Sequence, residues 1–283
     1  ATYSRKSFNN KFGVPLSLFN LKINDDFGIF EVGMDKKGEI DSLTKIIKPD
    51  VGVITNISYA HAKNFNNLKQ IALAKSEIMN NIASGGSIVL NADDRFYKFH
   101  RKIALRKKLK VYSFSVFKKN TTVNLISIKK EKTKFKVIIN VNNQKKYFFV
   151  TSNFENNLKN LLAAITVISI FKDIKILNKN IFYNYQIPQG RGDFSKVKIN
   201  GKNIFLIDES YNSNPLSLKS SINNFDLIDS NNNKKHLILG DMLELGKYSK
   251  KLHLEMSKII NSSSINNVHV FGKYIRETYK NIY

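Results

Sequence analysis

The chain reads as an α/β protein: a doubly wound, mostly parallel sheet with a small antiparallel β portion, followed by a Rossmann-like α/β domain. Three observations predict this. Apolar runs of strand length alternate with longer helical patterns, as expected when helices flank a parallel sheet. Residues 121–151 change to alternating β-branched and Lys residues, broken at Glu131-Lys132-Thr133 and at 140–144, the signature of antiparallel strands joined by tight turns. The alternation restarts after Pro188-Gln189-Gly190-Arg191-Gly192-Asp193, the most turn-rich segment and the expected boundary between a domain at 1–188 and one at 189–283.

Taken in order, residues 27–32 read as a buried strand, 40–47 as a helix, 51–57 as a strand and 68–82 as one amphipathic helix. A strand at 87–90, a basic helix at 96–108 and a strand at 110–114 follow. After the antiparallel portion, 157–171 is a helix with a strongly apolar face and 178–185 a short one. The second domain offers strands at 195–199 and 204–207, a helix at 215–228, a strand at 236–239, a helix at 249–260, a strand at 268–271 and a last helix from Lys273. A domain of this type normally adds further strands, so its sheet is expected to be unfinished at Tyr283.

With 283 residues, 42% of them hydrophobic, the chain can bury one large core or two ordinary ones. The absence of Cys excludes disulfides, zinc-thiolate sites, iron-sulfur clusters and cysteine nucleophiles. No apolar run approaches the roughly 20 residues of a membrane span, and no secretory signal opens the sequence. Forty-six Lys and Arg against 22 Asp and Glu give a net charge of +24, but the lysines are spread along the chain beside Asn and Ile. That spread describes a solvated basic surface better than a nucleic-acid footprint. The same field would attract a negatively charged substrate such as a nucleotide.

Glu31 follows an apolar run and should sit near the carboxyl end of its strand, where open α/β sheets bind ligands. His61 comes shortly after the next strand, and Lys75 lies on the following helix between apolar positions that would hold its stem against the sheet. Singly, each is an ordinary strand-end carboxylate, loop histidine or surface lysine. Together, oxygen and nitrogen donors converging at one sheet edge would suit a divalent cation that accompanies phosphates.

Glu31-Val32-Gly33-Met34 with Gly38-Glu39-Ile40, Ile54-Thr55-Asn56-Ile57 with Ala60-His61, and Ala74-Lys75-Ser76-Glu77-Ile78 closely resemble the central ATPase domain of the Mur ligases. Asp208-Glu209-Ser210-Tyr211-Asn212-Ser213-Asn214-Pro215, Leu239-Gly240-Asp241-Met242-Leu243-Glu244-Leu245-Gly246 and the opening Ser7-Phe8-Asn9-Asn10-Lys11-Phe12-Gly13 are similar to the MurF branch. That branch joins D-alanyl-D-alanine to UDP-N-acetylmuramoyl-tripeptide. The resemblance implies ATP and Mg²⁺ as cofactors, with Glu31, His61 and Lys75 as metal and catalytic residues and Lys75 converted to a carbamate. It implies adenine contacts from Asn157 and Asn160, a phosphate contact from Arg191, and a ribose contact from Asp208. It assigns Tyr211, Asn212 and Asn214 to the same nucleotide-facing loop, and Asn9 and Asn10 to the muramoyl substrate. Phe154 and Asn156 depart from the Gly and His that the family commonly carries there.

The ligase so implied forms an acyl phosphate that the dipeptide amine attacks, giving amide, ADP and phosphate, and is expected to be a cytoplasmic monomer. None of the 13 glycines opens a P-loop pattern. Since the family's P-loop lies just before the segment that opens this chain, the expectation is a fragment with little activity alone. Two other readings stand beside it: another Mur-type or folylpolyglutamate-type amide ligase, and a non-catalytic basic module that binds nucleic acid.

Overall fold

The computed structural model describes residues 1–5, 7–60, 62–185, 187–229 and 233–283. They pack as two compact units, one made of residues 1–57 and 64–183, the other of residues 58–63 and 184–283. No described helix is long and apolar enough to cross a membrane.

The first unit opens with β1 (Thr2–Tyr3), α1 (Gly13–Leu18) and β2 (Gly28–Ile29), the two strands pairing in parallel. Then come α2 (Glu39–Ile47), β3 (Val51–Ile54), α3 (Leu68–Lys75), β4 (Ser87–Asn91), α4 (Tyr97–Arg106) and β5 (Lys110–Ser115). Three long strands follow, β6 (Val123–Glu131), β7 (Lys134–Val141) and β8 (Gln144–Val150), before α5 (Glu155–Phe171). Strands β3 to β8 form one six-stranded sheet in sequence order, parallel from β3 to β6 and antiparallel from β6 to β8.

Every residue of β4 is buried, because helices cover both faces of the parallel part. The antiparallel part alternates: Val137, Ile139 and Val141 point into the core, while Lys136 and Asn140 face outward. Asn142 and Asn143 turn β7 into β8 with φ of 48° and 67°, the left-handed pair that a two-residue hairpin requires and Asn tolerates. Leu158, Leu162 and Ile165 of α5 pack on Val89, Phe114, Val137 and Phe148 of the sheet, making one hydrophobic core.

In the second unit β9 (Asp193–Ile199) and β10 (Lys202–Asp208) form an antiparallel hairpin. After α6 (Pro215–Asp226) come β11 (His236–Gly240), α7 (Ser249–Asn261), β12 (Asn267–Phe271) and α8 (Ile275–Tyr279), with β11 and β12 paired in parallel. Ile222, Leu239, Ile260 and Ile275 make a smaller core here.

Four expectations are corrected. The buried strand at 27–32 shrinks to β2, whose two residues are exposed because it pairs only with the two-residue β1. The strand at 51–57 ends at Ile54, where Asn91 Nδ2 donates to the Thr55 carbonyl and Asp94 accepts from the Ile57 amide, drawing the chain out of the sheet. The helix at 68–82 tightens after Lys75 into a 3₁₀ segment (Ser76–Asn80), with Ser76 Oγ donating to the Leu73 carbonyl. The short helix at 178–185 is turn only: Asn178 Oδ1 accepts from the Asn180 amide, and the Lys179 carbonyl accepts from Phe149 of β8.

Candidate active site

Asn9 and Glu31 are joined by a hydrogen bond, and Glu31 lines a cavity of the first unit. Asn9 Nδ2 donates to Glu31 Oε1 at 2.9 Å, and the Asn9 carbonyl accepts from the Gly33 amide at 2.7 Å. A Cβ on Gly33 would lie 2.9 Å from the Asn9 carboxamide, so a side chain at that position would have to displace Asn9. The Glu31 amide donates to Ser4 Oγ at 3.1 Å. Farther along, Glu39 Oε2 accepts from the amides of Asp35 and Lys36, and the Glu77 carboxylate accepts from those of Gly38 and Asp41. The segment that carries Glu31 is thus pinned at both ends.

Lys75, the last residue of α3, shares a cavity of about 880 Å³ with Glu31, Thr55 and Asn56. Its walls are the β2 segment, the outer edge of β3, α2 and the end of α5. Burial pushes the Lys75 ammonium below the ordinary lysine range, and the nearby Glu31 carboxylate opposes that shift. Beneath α3, buried His100 hydrogen-bonds through Nε2 to the Ala72 carbonyl at 2.9 Å. The same carbonyl accepts from the Ser76 amide, at the point where the helix narrows. Burial holds the His100 imidazole below the ordinary histidine range, with Asp94 acting in the opposite sense and Lys75 in the same one.

Glu31, Lys75 and Asn9 are therefore brought together. His61 lies outside the described residues. The Asn10 carboxamide oxygen accepts from the amides of Phe12 and Gly13, opening α1. At the start of α5, Asn157 Nδ2 donates to Ser152 Oγ at 2.9 Å, and Asn160 is exposed. The helical rise sets Asn157 about 15 Å along α5 from Val167 at the cavity wall. Phe154 enters the helix at φ −61°, ψ 138°, a conformation open to any residue, so the departure from glycine strains nothing.

In the second unit the Arg191 guanidinium lies 4.2 Å from the Tyr211 ring centroid. Gly190 and Gly192, at φ 73° and 95°, exchange backbone hydrogen bonds with Tyr211 and Asp208 across the base of the hairpin. Asp208 Oδ1 accepts from the Ser210 amide, and bonding to Ser210 holds this carboxyl below its ordinary range. Burial raises Glu209, opposed by its hydrogen bond with Ser221, while Asp208 and Asp193 add to the rise and Arg191 subtracts from it. Asn212 Oδ1 accepts from the Ser213 amide. Asn214 is the N-cap of α6, forming a reciprocal capping box with Ser217 ahead of Pro215. The loop after β11 is packed: Met242 and Leu245 are buried, and Asp241 accepts from three amides at the start of α8.

Sequence reasoning gave no role to His100, Glu77 or Glu209. A lone histidine on the apolar side of a basic helix was the available signal for the first. The partners of Glu77 lie 36 to 39 residues away, so nothing local marks it.

A family model described as the Mur ligase middle domain matches residues 1–168. The UDP-N-acetylmuramoyl-tripeptide–D-alanyl-D-alanine ligase of Rickettsia prowazekii is 32% identical, over 98% of this chain and 60% of that protein. A crystal structure of MurF from Acinetobacter baumannii superposes with a TM-score of 0.88 at 24% identity, covering 99% of this chain and 59% of that one. MurF of Thermotoga maritima, solved in complex with ADP, gives 0.82 at 23% identity, over 95% and 59%. The chain thus spans about 60% of the length of the relatives it matches. The likeness to solved structures establishes the fold, and the match over residues 1–168 establishes that the chain belongs to the Mur ligase family.

Proposed function

We propose that the chain is the central ATPase domain (1–188) and part of the carboxyl-terminal domain (189–283) of a cytoplasmic, monomeric, ATP-dependent ligase that joins D-alanyl-D-alanine to UDP-N-acetylmuramoyl-tripeptide. The observation that carries the reading is the meeting of Asn9-bound Glu31 and depressed Lys75 in one cavity at a sheet edge. The Rickettsia relative's 32% identity favours this branch over other amide ligases.

The donor chemistry fits Mg²⁺ in kind. Glu31 offers carboxylate oxygen, the ligand type a hard cation takes. Lys75 as an ammonium would repel the ion, but its lowered pKa enlarges the neutral fraction, and a neutral amine adds to carbon dioxide. The N–C bond forms, the amine gives a proton to solvent, and the anionic carbamate oxygens become donors. Mg²⁺ held there, with His61 as a further ligand, would neutralise charge on the phosphoryl group that ATP transfers to the peptide carboxylate.

The chain's own residues orient that site. Asn9 fixes one oxygen of Glu31, Glu77 and Glu39 fix the segment behind it, and His100 holds the turn of α3 before Lys75. Asn157 and Asn160 would meet adenine, Asp208 the ribose, Arg191 a phosphate, and Tyr211 and Asn212 the same nucleotide. Asn10 and Asn214 already spend their carboxamide oxygens on backbone amides, so their contacts to muramoyl substrate and nucleotide would run through Nδ2. The test is ADP release by the complete ligase that carries these residues. Release that needs both the UDP-muramoyl-tripeptide and D-alanyl-D-alanine supports the reading; release with a folate and glutamate in their place refutes it. Salt-sensitive binding of RNA with no nucleotide affinity would instead favour the basic-module reading.

A further inference from the structure

The parallel ladder between β3 and β4 stops at the pair Ile54 and Leu90. One residue farther along, two side chains take over from the backbone. Buried Asn91, the last residue of β4, donates from Nδ2 to the Thr55 carbonyl at 2.9 Å, and its Oδ1 accepts from the Asp93 amide at 2.9 Å. Asp94 takes the next step: Oδ2 accepts from the Ile57 amide at 2.8 Å and Oδ1 from the Phe96 amide at 2.7 Å. Asp93, between them, accepts instead from Ser115 Oγ and the Val116 amide at the end of β5. The turn after β4 therefore carries two separate sets of bonds, one to the segment 55–57 and one to the end of β5.

The first set leaves Thr55 and Asn56 exposed between buried Ile54 and Ile57, and both line the cavity that Glu31 and Lys75 share. Among the described residues no hydrogen bond engages the Thr55 hydroxyl or the Asn56 carboxamide. A strand end released from its sheet would sample many backbone conformations, whereas one tied at 55 and again at 57 presents the side chains between at fixed places. Mg²⁺ keeps several of its waters when a protein binds it. A hydroxyl and a carboxamide can each donate to and accept from such water, and neither adds charge. We propose that Thr55 and Asn56 hold the water shell of the cation at Glu31 and Lys75, and that Asn91 and Asp94 are the positioning residues that aim them. This deepens the cation-site reading given under the proposed function and rests on it.

The test is Mn²⁺ affinity, read by electron paramagnetic resonance in bicarbonate, of the complete ligase that carries these residues. Asn91→Ser and Asp94→Ser each keep a short acceptor for the amide two residues on but cannot also reach the segment 55–57. Each should weaken Mn²⁺ binding at least ~10-fold, and so should the double variant Thr55→Val, Asn56→Ala. The Asn91 variant changes no charge, so its loss is not electrostatic. Ser115→Ala cuts the bond to Asp93 in the same turn and leaves 55–57 tied; it should bind Mn²⁺ as the wild type does, however far its melting temperature falls. Clamp variants that bind as tightly as wild type overturn the proposal. So does a Ser115→Ala that weakens binding as much as they do, since the turn would then matter only for stability, or a Thr55, Asn56 double variant with unchanged affinity. That double variant alters exposed side chains and carries the test should either serine variant fail to fold. Glu31→Gln separates the two levels: unchanged affinity there removes the cation site itself, whereas a loss there with silent clamp variants overturns only the positioning role.

Discussion

His100 is buried and braces the backbone of the helix that carries Lys75. Its ring touches the backbone one turn before Lys75, whose ammonium is pushed below the ordinary lysine range by burial. The sign of the resulting pH dependence follows from linkage. A histidine whose folded pKa lies below its unfolded value of 6.5 is fully stabilising above that pH, and the contribution is lost as pH falls from there through the folded pKa. Urea unfolding between pH 5 and 7 should therefore show the wild type losing stability on acidification and His100→Gln losing less; equal slopes would remove His100 from the account. Gly33→Ala is the second test at this scale. Its methyl would strike the Asn9 carboxamide, so nucleotide-dependent activity should fall while Asn9→Asp, which leaves Gly33 in place, gives a different loss in kcat against KM. That Glu31 and Lys75 would share one sheet edge was legible because motifs carry them. Glu77 and His100 were not, since their meaning lies in partners brought near only by folding.

Elements with a strong period were read closely: the antiparallel strands, expected as two or three and found as three, α5, and the start of α6 at Pro215 were each anticipated from local pattern. What failed were the ends that tertiary bonds decide. Periodicity runs unbroken from residue 68 to 82, yet the helix narrows at Ser76, where Glu77 turns to the amides at the head of α2 and His100 claims the Ala72 carbonyl. Local pattern does suffice for a cap. Replacing Asn214 with Ala should cost about 1 kcal/mol, measured by urea unfolding of the second unit, while Asn214→Asp keeps most of it. An unchanged midpoint in the Ala variant would mean that α6 is held by packing alone.

Buried apolar packing is uneven through the described residues. Among the described residues, a cluster of fourteen buried residues packs around α5 and the sheet, while the cluster that holds β11 and β12 joins four, so β11 and β12 should open more readily. Hydrogen exchange should show β4 and β7 as the slowest region and β11 and β12 exchanging sooner. Leu162, fully buried under the sheet, should cost about 2–5 kcal/mol when cut to Ala, with faster exchange confined to the first unit. A uniform change through both units would mean that they unfold as one. The sequence shows two domains because turn chemistry and composition change between them. It does not show that residues 58–63 pack with the later unit, since nothing in Ser58-Tyr59-Ala60 marks a return across so many intervening residues.

The central claim is that Glu31 and a carbon dioxide-modified Lys75 hold one cation between them. It is tested most directly by electron paramagnetic resonance of Mn²⁺, standing in for Mg²⁺, titrated into the protein with and without bicarbonate. The account predicts that bicarbonate tightens Mn²⁺ binding in the wild type, that Lys75→Arg removes this response, and that Glu31→Gln weakens binding at least ~10-fold. Equal Mn²⁺ affinity in all three proteins, indifferent to bicarbonate, would contradict it.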